Sequence, residues 1–376
     1  MDLIARSQAD AHARILGAGG RGINLLAPVE PLVSSHAIGV EKRYASPVGS
    51  AAFGQVVQFN LPAEIIGDIY LETDVAAPDS GNFTQYPGLC MVTDVEIRSG
   101  SNTLQQFRNI PATRALLYKM ESGKRDLVLK LAGGAAHNSG ACVTPIPAAW
   151  CSASAAFQHG MPPLDCRGTG GLVVRLTLNS VANLLNAGAS GASGINSCRL
   201  YYHAIHAADY EPQASLQPYL ATDIATIPQG ASHADGASVS YNLKGLYGVL
   251  TELAVLHTLA SDVDTAHDYF NSPEDLDALE VLIDGRSFWK SDDQLQLLMD
   301  ALSLAGVGNM GSGVVSYVPF GIGWDAQHFA GGLDTANLQS FTASVTHNSG
   351  AAAYVDFVGF RKIHIIRQGN AFVVHK

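Results

Sequence analysis

Acidic side chains are most concentrated in the segment 262–268, which reads Asp-Val-Asp-Thr-Ala-His-Asp. Carboxylate oxygens at such close spacing are the ligands that a hard cation such as Ca²⁺ prefers. The segment lacks the central glycine and the distal bidentate glutamate of an EF-hand loop. We therefore interpret it as a solvated loop and expect that replacing Asp264 has little effect.

A glycine-rich run, Gly-Ala-Gly-Gly-Arg-Gly, occupies residues 17–22. Its spacing fits the dinucleotide-binding pattern, which needs a strand before the glycines and a helix after them, so that a pyrophosphate meets a helix N-terminus. Here an amphipathic helix over residues 2–16 is predicted before the run, and Pro28 follows it. The glycines are therefore interpreted as a hinge.

The thirteen histidines are dispersed along the chain. The closest two, His203 and His206, are three residues apart in a predicted strand, so they project to opposite faces and cannot form a two-ligand metal clip. Walker-A, Gly-x-Ser-x-Gly and His-Glu-x-x-His sequences do not occur. A Ser-His-Asp triad can converge from distant positions, and nothing in the sequence selects one. We assign no catalytic residue, no cofactor-binding residue, no cofactor and no metal ligand.

Composition sets the broad class of the protein. The 376 residues are 47% hydrophobic and 15% charged, which excludes intrinsic disorder. The formal net charge of −11 argues against a protein that grips a nucleic-acid backbone. The N-terminal segment carries charges in its first turns and does not resemble a signal peptide. The longest charge-free run, 131–164, contains Gly and Pro and is no membrane-spanning helix.

Five cysteines occur at Cys90, Cys142, Cys151, Cys166 and Cys198. Their number is odd and no two form a Cys-x-x-Cys motif. This pattern favours free thiols in a reducing compartment, although pairing of four of them by proximity in the fold stays open.

Alternation of apolar and polar residues predicts β-strands along most of the chain from about residue 50. The clearest runs are 69–75, 91–97 and 173–178. Further strands are predicted around 53–59, 199–206, 238–244, 249–257, 278–283, 341–346 and 353–366. Clusters of Gly, Pro, Asn and Ser separate them. Long alternating strands with few helices indicate antiparallel sandwiches.

Two interior helices are predicted. The first runs from Asn109 to about Glu121, with Pro111 in its first turn. The second starts at Ser291, where Ser291 and Gln294 form a capping box. Each helix has an apolar stripe that should be buried: Leu116, Leu117 and Met120 in the first, and Leu295, Leu298, Met299 and Leu302 in the second.

The surroundings of the two helices repeat. Each helix follows a strand, a glycine turn and a short strand, and the two turn glycines, Gly100 and Gly285, are 185 residues apart. A glycine-rich stretch and further strands come after each helix. The chain is therefore predicted to contain two similar β-sandwich domains in tandem, each with a helix inserted midway.

This order of elements resembles the double jelly-roll major capsid proteins of tailless icosahedral DNA viruses, a lineage that includes adenoviruses, membrane-containing bacterial viruses and nucleocytoplasmic large DNA viruses. Three stretches carry the likeness. They are Leu61-Pro62 with 67–72, then Thr144-Pro145-Ile146-Pro147 with 160–164 and the strand to Leu178, and finally Val318-Pro319-Phe320 with 331–336. Ala330 and Gly331 depart from the pattern, since Pro-Ser is expected there.

The resemblance implies an all-β fold of two tandem eight-stranded jelly rolls, each with a short inserted helix, preceded by an N-terminal helical arm. The expected units are the arm 1–35, the first roll 36–215 and the second roll 216–376. The resemblance also implies a non-enzymatic major capsid protein that assembles as pseudo-hexameric trimers into an icosahedral virion shell after synthesis in the host cytoplasm. Its expected partners are other copies of itself, penton proteins and minor capsid or membrane proteins, without direct nucleic-acid binding.

Two other functions stay open at this stage. A carbohydrate-binding or hydrolytic β-sandwich protein would need carboxylates and aromatic residues clustered at a sandwich edge or face, and only 262–268 is suggestive. A viral spike or tail fibre would show an elongated, fibrous repeat in place of two compact equal halves.

Overall fold

The computed structural model describes residues 38–120, 122–150, 163–190, 193–207, 219–228, 230–270, 276–293, 296, 315–322, 330–348 and 350–375. Several expectations lie outside this part of the chain. They are the arm 1–35 with its helix 2–16, the hinge 17–22, Cys151, and most of the predicted second helix with its apolar stripe.

The first half of the chain forms two four-stranded antiparallel sheets. Sheet 1 has the order β1-β9-β3-β6, and sheet 2 has the order β2-β8-β4-β5. A short strand, β7, pairs with β3. The strands are β1 Ile38–Ala45, β2 Val56–Leu61, β3 Ile65–Val75, β4 Val92–Ser99, β5 Asn102–Arg108, β6 Gly140–Ile146, β7 Leu164–Asp165, β8 Leu172–Leu178 and β9 Ile195–Ala207.

The second half repeats this arrangement. Sheet 3 has the order β10-β20-β12-β15, and sheet 4 has the order β11-β19-β13-β14. The strands of these two sheets are β10 Tyr219–Thr226, β11 Ser238–Asn242, β12 Val249–Leu259, β13 Leu276–Ile283, β14 Arg286–Ser291, β15 Ser316–Pro319, β19 Phe341–His347 and β20 Ala353–Gln368. Additional strands are β16 Gly321–Ile322, β17 Ala330–Gly331, β18 Leu333–Asp334 and β21 Ala371–His375.

When the eight strands that make up the two sheet orders of each half are numbered along the chain, both halves have the orders 1-8-3-6 and 2-7-4-5. This is the topology of a jelly roll, in which eight strands form two facing sheets. The expectation of two tandem eight-stranded jelly rolls is confirmed. No described strand pairing joins the part before residue 208 to the part after 218, but the boundary at 215/216 lies outside the described residues and stays a prediction.

The turn glycines that revealed the repeat occupy equivalent hairpins. Gly100 lies between β4 and β5 with φ +57°, and Gly285 lies between β13 and β14 with φ +76°. Glycine adopts this left-handed region without steric cost, which is why two-residue hairpin turns use it. Both hairpins also contain a β-bulge shortly after the turn.

Three α-helices lie in the described part of the first roll: α1 Pro87–Cys90, α2 Asn109–Lys119 and α3 Ser122–Leu131. Helix α2 is the first predicted helix, and Leu116, Leu117 and Met120 are buried as expected. Helix α3 was not predicted, because its apolar residues are contiguous instead of forming a stripe, and Leu127 and Leu131 are exposed. Single helical turns occur at Ala182–Leu184, Asp262–Ala266 and Thr335–Asn337. None of the described helices is long and apolar enough to cross a membrane.

The predicted strands agree with the structure, but β1, β6, β10, β15 and β21 were missed, as were the two-residue strands β7, β16, β17 and β18. In β6 and β15 the sequence contains Pro145 and Pro319, which argue against a strand. Both are edge strands, where the missing N–H of proline is tolerated.

The predicted start of the second helix lies at the limit of the described residues. Ser291 is the buried last residue of β14, and Gln294 of the predicted capping box lies outside the described part of the chain, so the capping box stays a prediction. Oδ1 of Asp293 accepts a hydrogen bond from the backbone N–H of Gln296 at 2.9 Å. A side-chain acceptor for a backbone N–H three residues later is the arrangement of a helix N-cap.

Candidate functional site

Among the described residues, polar and apolar contacts join the two rolls along a common junction. On β12, Leu253 and Val255 belong to the core of the second roll, whereas Ala254 and Leu256 belong to the cluster that continues into the first roll. Successive side chains of a strand point to opposite faces. Sheet 3 is therefore covered on both faces, and its outer face packs against β5 and α2 of the first roll.

A buried carboxylate stands at the centre of this junction. Asp223 of β10 and Arg361 of β20 are paired across the sheet, with Nη2 and Nε of Arg361 at 2.6 and 2.8 Å from Oδ2 of Asp223. Their side chains are 0% and 6% exposed. Gln105 of the first roll donates from Nε2 to the other carboxylate oxygen at 2.8 Å, and its own Oε1 accepts from the Ala149 N–H at 2.7 Å.

Burying an ion pair is costly unless its remaining hydrogen-bonding positions are filled. Gln105 fills one of them from the opposite roll, so the pair is complete only when the rolls are docked. The three residues are separated by more than a hundred positions in sequence, and for that reason sequence patterns did not reveal them.

Two further charged contacts cross the junction. Arg108 donates to Oδ1 of Asp356 at 3.0 Å, and its backbone N–H donates to Thr226 Oγ1 at 2.8 Å. On helix α2, Lys119 pairs with Glu252. Its Nζ also lies over the Phe360 ring, 4.6 Å from the centroid. A cation over an aromatic face is attracted by the ring quadrupole, most strongly where water is excluded.

Tyr317 of β15 adds a neutral hydrogen bond to the same helix. Its hydroxyl donates to the Ala115 carbonyl at 2.7 Å. Burial raises the pKa of Tyr317 well above its usual value, so the hydroxyl keeps its proton. The helix is thus held on the second roll by charged and uncharged contacts together.

The C-terminal hairpin of β20 and β21 fastens the other side of the junction. The Phe372 N–H donates to Ser99 Oγ at 3.0 Å, and Asn102 Nδ2 donates to the Phe372 carbonyl at 3.0 Å. Arg367 donates to the Gly168 carbonyl at 2.6 Å. Gly168 has φ +72°, a left-handed conformation that glycine adopts without strain, and a Cβ there would lie 2.4 Å from the guanidinium of Arg367, which would have to shift.

The acidic segment 262–268 also lies at the junction, and the expectation that it is merely a solvated loop is corrected. Gln85 of the first roll donates to Asp268 Oδ2 at 2.9 Å, and His267 Nδ1 lies 3.0 Å from the Leu185 carbonyl. Asp264 itself is exposed and accepts from the Tyr354 hydroxyl at 3.1 Å. Within the described ranges, no three His, Cys, Asp or Glu side chains are grouped so that they could hold a metal ion.

The segment borders a polar cleft of about 360 Å³ between the rolls. Among the residues that line it are Thr93, Arg108, Asn179, Asp264, His267 and Tyr269. Arg108 and His267 are already engaged in the contacts between the rolls. The cleft is therefore part of the junction, and we assign no catalytic role to it.

The four described cysteines are free and buried, which agrees with the expectation of free thiols. Burial raises the pKa of Cys142 to about 11 and that of Cys198 to about 12. Because the thiolate is the reactive form, these side chains act as small apolar core residues. His203 of the predicted strand is half-buried with Nδ1 3.7 Å from Asp68, whereas the side chain of His206 lies outside the described residues.

The fold and the junction together define the class of architecture, which is two jelly rolls in one chain joined by buried, charge-paired contacts. Solved structures show the same architecture. PBCV-1 VP54, fitted into a reconstruction of the virophage Sputnik, matches with a TM-score of 0.72 and 14% identity over 91% of this chain and 97% of that chain. The Faustovirus major capsid protein matches with a TM-score of 0.66 and 10% identity over 98% of both chains.

A quasi-atomic model of the PBCV-1 virus capsid matches with a TM-score of 0.69 and 15% identity, over 91% of this chain and 98% of that chain. No protein-family model and no curated protein sequence matches the chain. At these identities the likeness is one of fold. The chain has the fold of the double jelly-roll major capsid proteins, and the resemblance read from its sequence is confirmed at that level.

Proposed function

We propose that the protein is a structural major capsid protein that assembles as pseudo-hexameric trimers into an icosahedral virion shell. The observation that carries the proposal is the junction, because its buried contacts join two similar jelly rolls within one chain. Three such chains around a threefold axis supply six similar jelly rolls. A nearly hexagonal unit of this kind can tile a closed lattice with a single chain type.

The structural neighbours support this role, since they are named as major capsid proteins or as parts of a virus capsid. We propose accordingly that the protein is located in the virion capsid after synthesis in the host cytoplasm. Its partners are further copies of itself, penton proteins and minor capsid or membrane proteins. Its net charge of −11 fits a shell that does not bind the genome directly.

We propose a non-enzymatic protein divided into an arm 1–35, a first roll 36–215 and a second roll 216–376. The buried charges described above are engaged in holding the rolls together, and no catalytic role is assigned to them. A structural role accounts for these contacts without any substrate.

Light scattering coupled to size-exclusion chromatography tests the proposal. The purified full chain should elute as a particle of three times the 39.5 kDa chain mass. Electron microscopy of the same fractions should show a hexagonal outline. A monomer at micromolar concentration, or a closed dimer, contradicts the proposed trimer.

A further inference from the structure

The polar cleft between the rolls has the size of a small-molecule site. Its volume is about 360 Å³, and pockets that hold small ligands range from about 300 to 1,000 Å³. Both rolls contribute to its walls: Asn179 and Asn183 follow β8 of the first roll, and Asp264, His267 and Tyr269 follow β12 of the second roll. A ligand in the cleft therefore contacts both rolls at once.

The charges of the cleft are balanced. Among the described residues that line it, only Arg108 and Asp264 carry a formal charge when histidine is neutral. An anionic ligand would meet the carboxylate of Asp264, and a cationic ligand would meet the guanidinium of Arg108. Because a like charge at close range costs binding free energy, the cleft favours a neutral ligand.

Contacts within the protein orient two hydrogen-bond acceptors of the cleft. Nδ2 of Asn183 donates to Asn179 Oδ1 at 3.2 Å, which leaves Oδ1 of Asn183 as an acceptor. Nδ1 of His267 lies 3.0 Å from the Leu185 carbonyl oxygen. Since a carbonyl oxygen only accepts, Nδ1 carries the proton and Nε2 is the acceptor of the neutral ring. A ligand that fits both atoms must bring hydrogen-bond donors.

The carboxylate of Asp264 is a third acceptor. Both of its oxygens lie 3.1 Å from the Tyr354 hydroxyl, and a carboxylate oxygen can accept more than one hydrogen bond. Tyr269 supplies a donor, because burial raises its pKa to about 12 and the hydroxyl stays protonated at neutral pH. Apolar side chains complete the wall, namely Ile110, Pro111 and Val263.

The backbone at His267 is held in an uncommon conformation. Its φ of +52° lies in the left-handed region, which residues other than glycine seldom adopt. The first roll fixes it there, because the Thr84 hydroxyl donates to the His267 carbonyl and the Leu185 carbonyl binds the ring. Strained residues of this kind cluster at ligand sites. Since the ring is already fixed, little freedom is lost when a ligand binds.

We propose that this cleft binds a neutral sugar, as a free saccharide or as the terminal residue of a glycan, and that Asn183, Asp264 and His267 accept hydrogen bonds from its hydroxyl groups. A sugar matches the walls because each hydroxyl both donates and accepts, while its C–H groups present an apolar face. The site binds without cleaving, since glycoside hydrolysis uses a pair of carboxylates and Asp264 is the only one among the described lining residues. The inference goes beyond the proposed capsid role and does not depend on the trimer.

Saturation-transfer difference NMR tests binding on the purified full chain. The probes are the methyl glycosides of glucose, mannose, galactose and N-acetylglucosamine. At least one of them should receive saturation from the protein, with a Kd of about 1 mM, as expected for a small polar ligand. An array of glycans that end in the same four sugars is the second arm. Binding in the NMR arm shows that a free sugar suffices, and binding on the array alone shows that the sugar must end a glycan.

Two variants locate the bound sugar in the cleft. Asn183→Leu removes one acceptor at similar size, and Asp264→Ala removes the carboxylate. Each should weaken binding by roughly tenfold, the effect of losing one hydrogen bond to the ligand. Asn60→Leu is the matched control, because Asn60 is an exposed asparagine on β2 that does not line the cleft. Spermidine and inorganic phosphate, as cationic and anionic probes, should not displace the sugar.

Four results would overturn the sugar site. They are the absence of binding in both arms, binding that Asn183→Leu and Asp264→Ala both retain, an equal loss in Asn60→Leu, and displacement by either charged probe. None of these results bears on the oligomeric state, so the proposed capsid role is tested separately. Circular dichroism checks that each variant is folded, and Asn183→Ala replaces Asn183→Leu if the latter is not.

Discussion

Gln105 supplies the first roll's direct hydrogen bond to the buried Asp223–Arg361 pair. Replacing it with leucine keeps the apolar volume but leaves a buried carboxylate oxygen without this donor. Such a loss costs about 1–3 kcal/mol. Gln105→Leu should therefore lower the free energy of unfolding by that amount in urea denaturation. Gln106→Leu is the matched control, because Gln106 is the exposed neighbour on β5 and its replacement should change little.

Burial disfavours the charged form of Lys362 and lowers the pKa of this side chain to about 8. Its Nζ donates a hydrogen bond to Thr222 Oγ1 at 2.8 Å. The unfolded chain, with an ordinary lysine pKa of about 10.4, binds more protons above pH 8. The contribution of Lys362 to the free energy of unfolding therefore increases as the pH rises from about 8 to about 10.4. From pH 7 to 9 the Tm of the unmodified chain should rise by roughly 2–4 °C relative to Lys362→Met, the response to about 1 kcal/mol. Parallel pH profiles of the two proteins would contradict this assignment.

Helix α2 belongs to the first roll and packs against strands of the second roll, so it helps to hold the two rolls together. Leu117 is fully buried, and truncating a buried leucine to alanine typically costs about 2–5 kcal/mol. Leu117→Ala should reduce the yield of soluble protein and lower its Tm. The same change at Leu127 of α3, which is 57% exposed, provides the control. Asp264→Ala should be nearly silent, and a larger loss there than at Leu117 would indicate that the acidic segment binds something.

Most strands and helix α2 could be predicted because the pattern of apolar and polar residues within each segment determines them. Alternation along β3, β4 and β8, and glycines in tight hairpins, are properties of a few consecutive residues. The junction could not be predicted in the same way, since Gln105, Asp223 and Arg361 meet only through the topology. The available signal was the presence of charged residues such as Asp356 and Arg361 in the largely apolar strand β20, and a charged residue does not by itself identify its partner.

For the whole molecule, the arm 1–35 is expected to act in assembly and not in folding. Every described strand of both rolls begins at residue 38 or later. Deleting residues 1–22 therefore removes none of these strands, and the trimer should persist in light scattering. Assembly into shells, followed by electron microscopy, should be impaired. Loss of the trimer itself would show that the arm belongs to the folded unit.

The double coverage of sheet 3 has a consequence for folding cooperativity. A first roll expressed alone would expose α2 and β5, and a second roll expressed alone would expose Ile224 and Phe360 together with the unpaired side of Asp223. The second roll has a core cluster of its own, but each fragment would expose the apolar face that the junction covers. Calorimetry of the full chain should therefore show one heat-absorption peak for both rolls, and either roll produced separately should aggregate, even though each contains a complete set of eight strands.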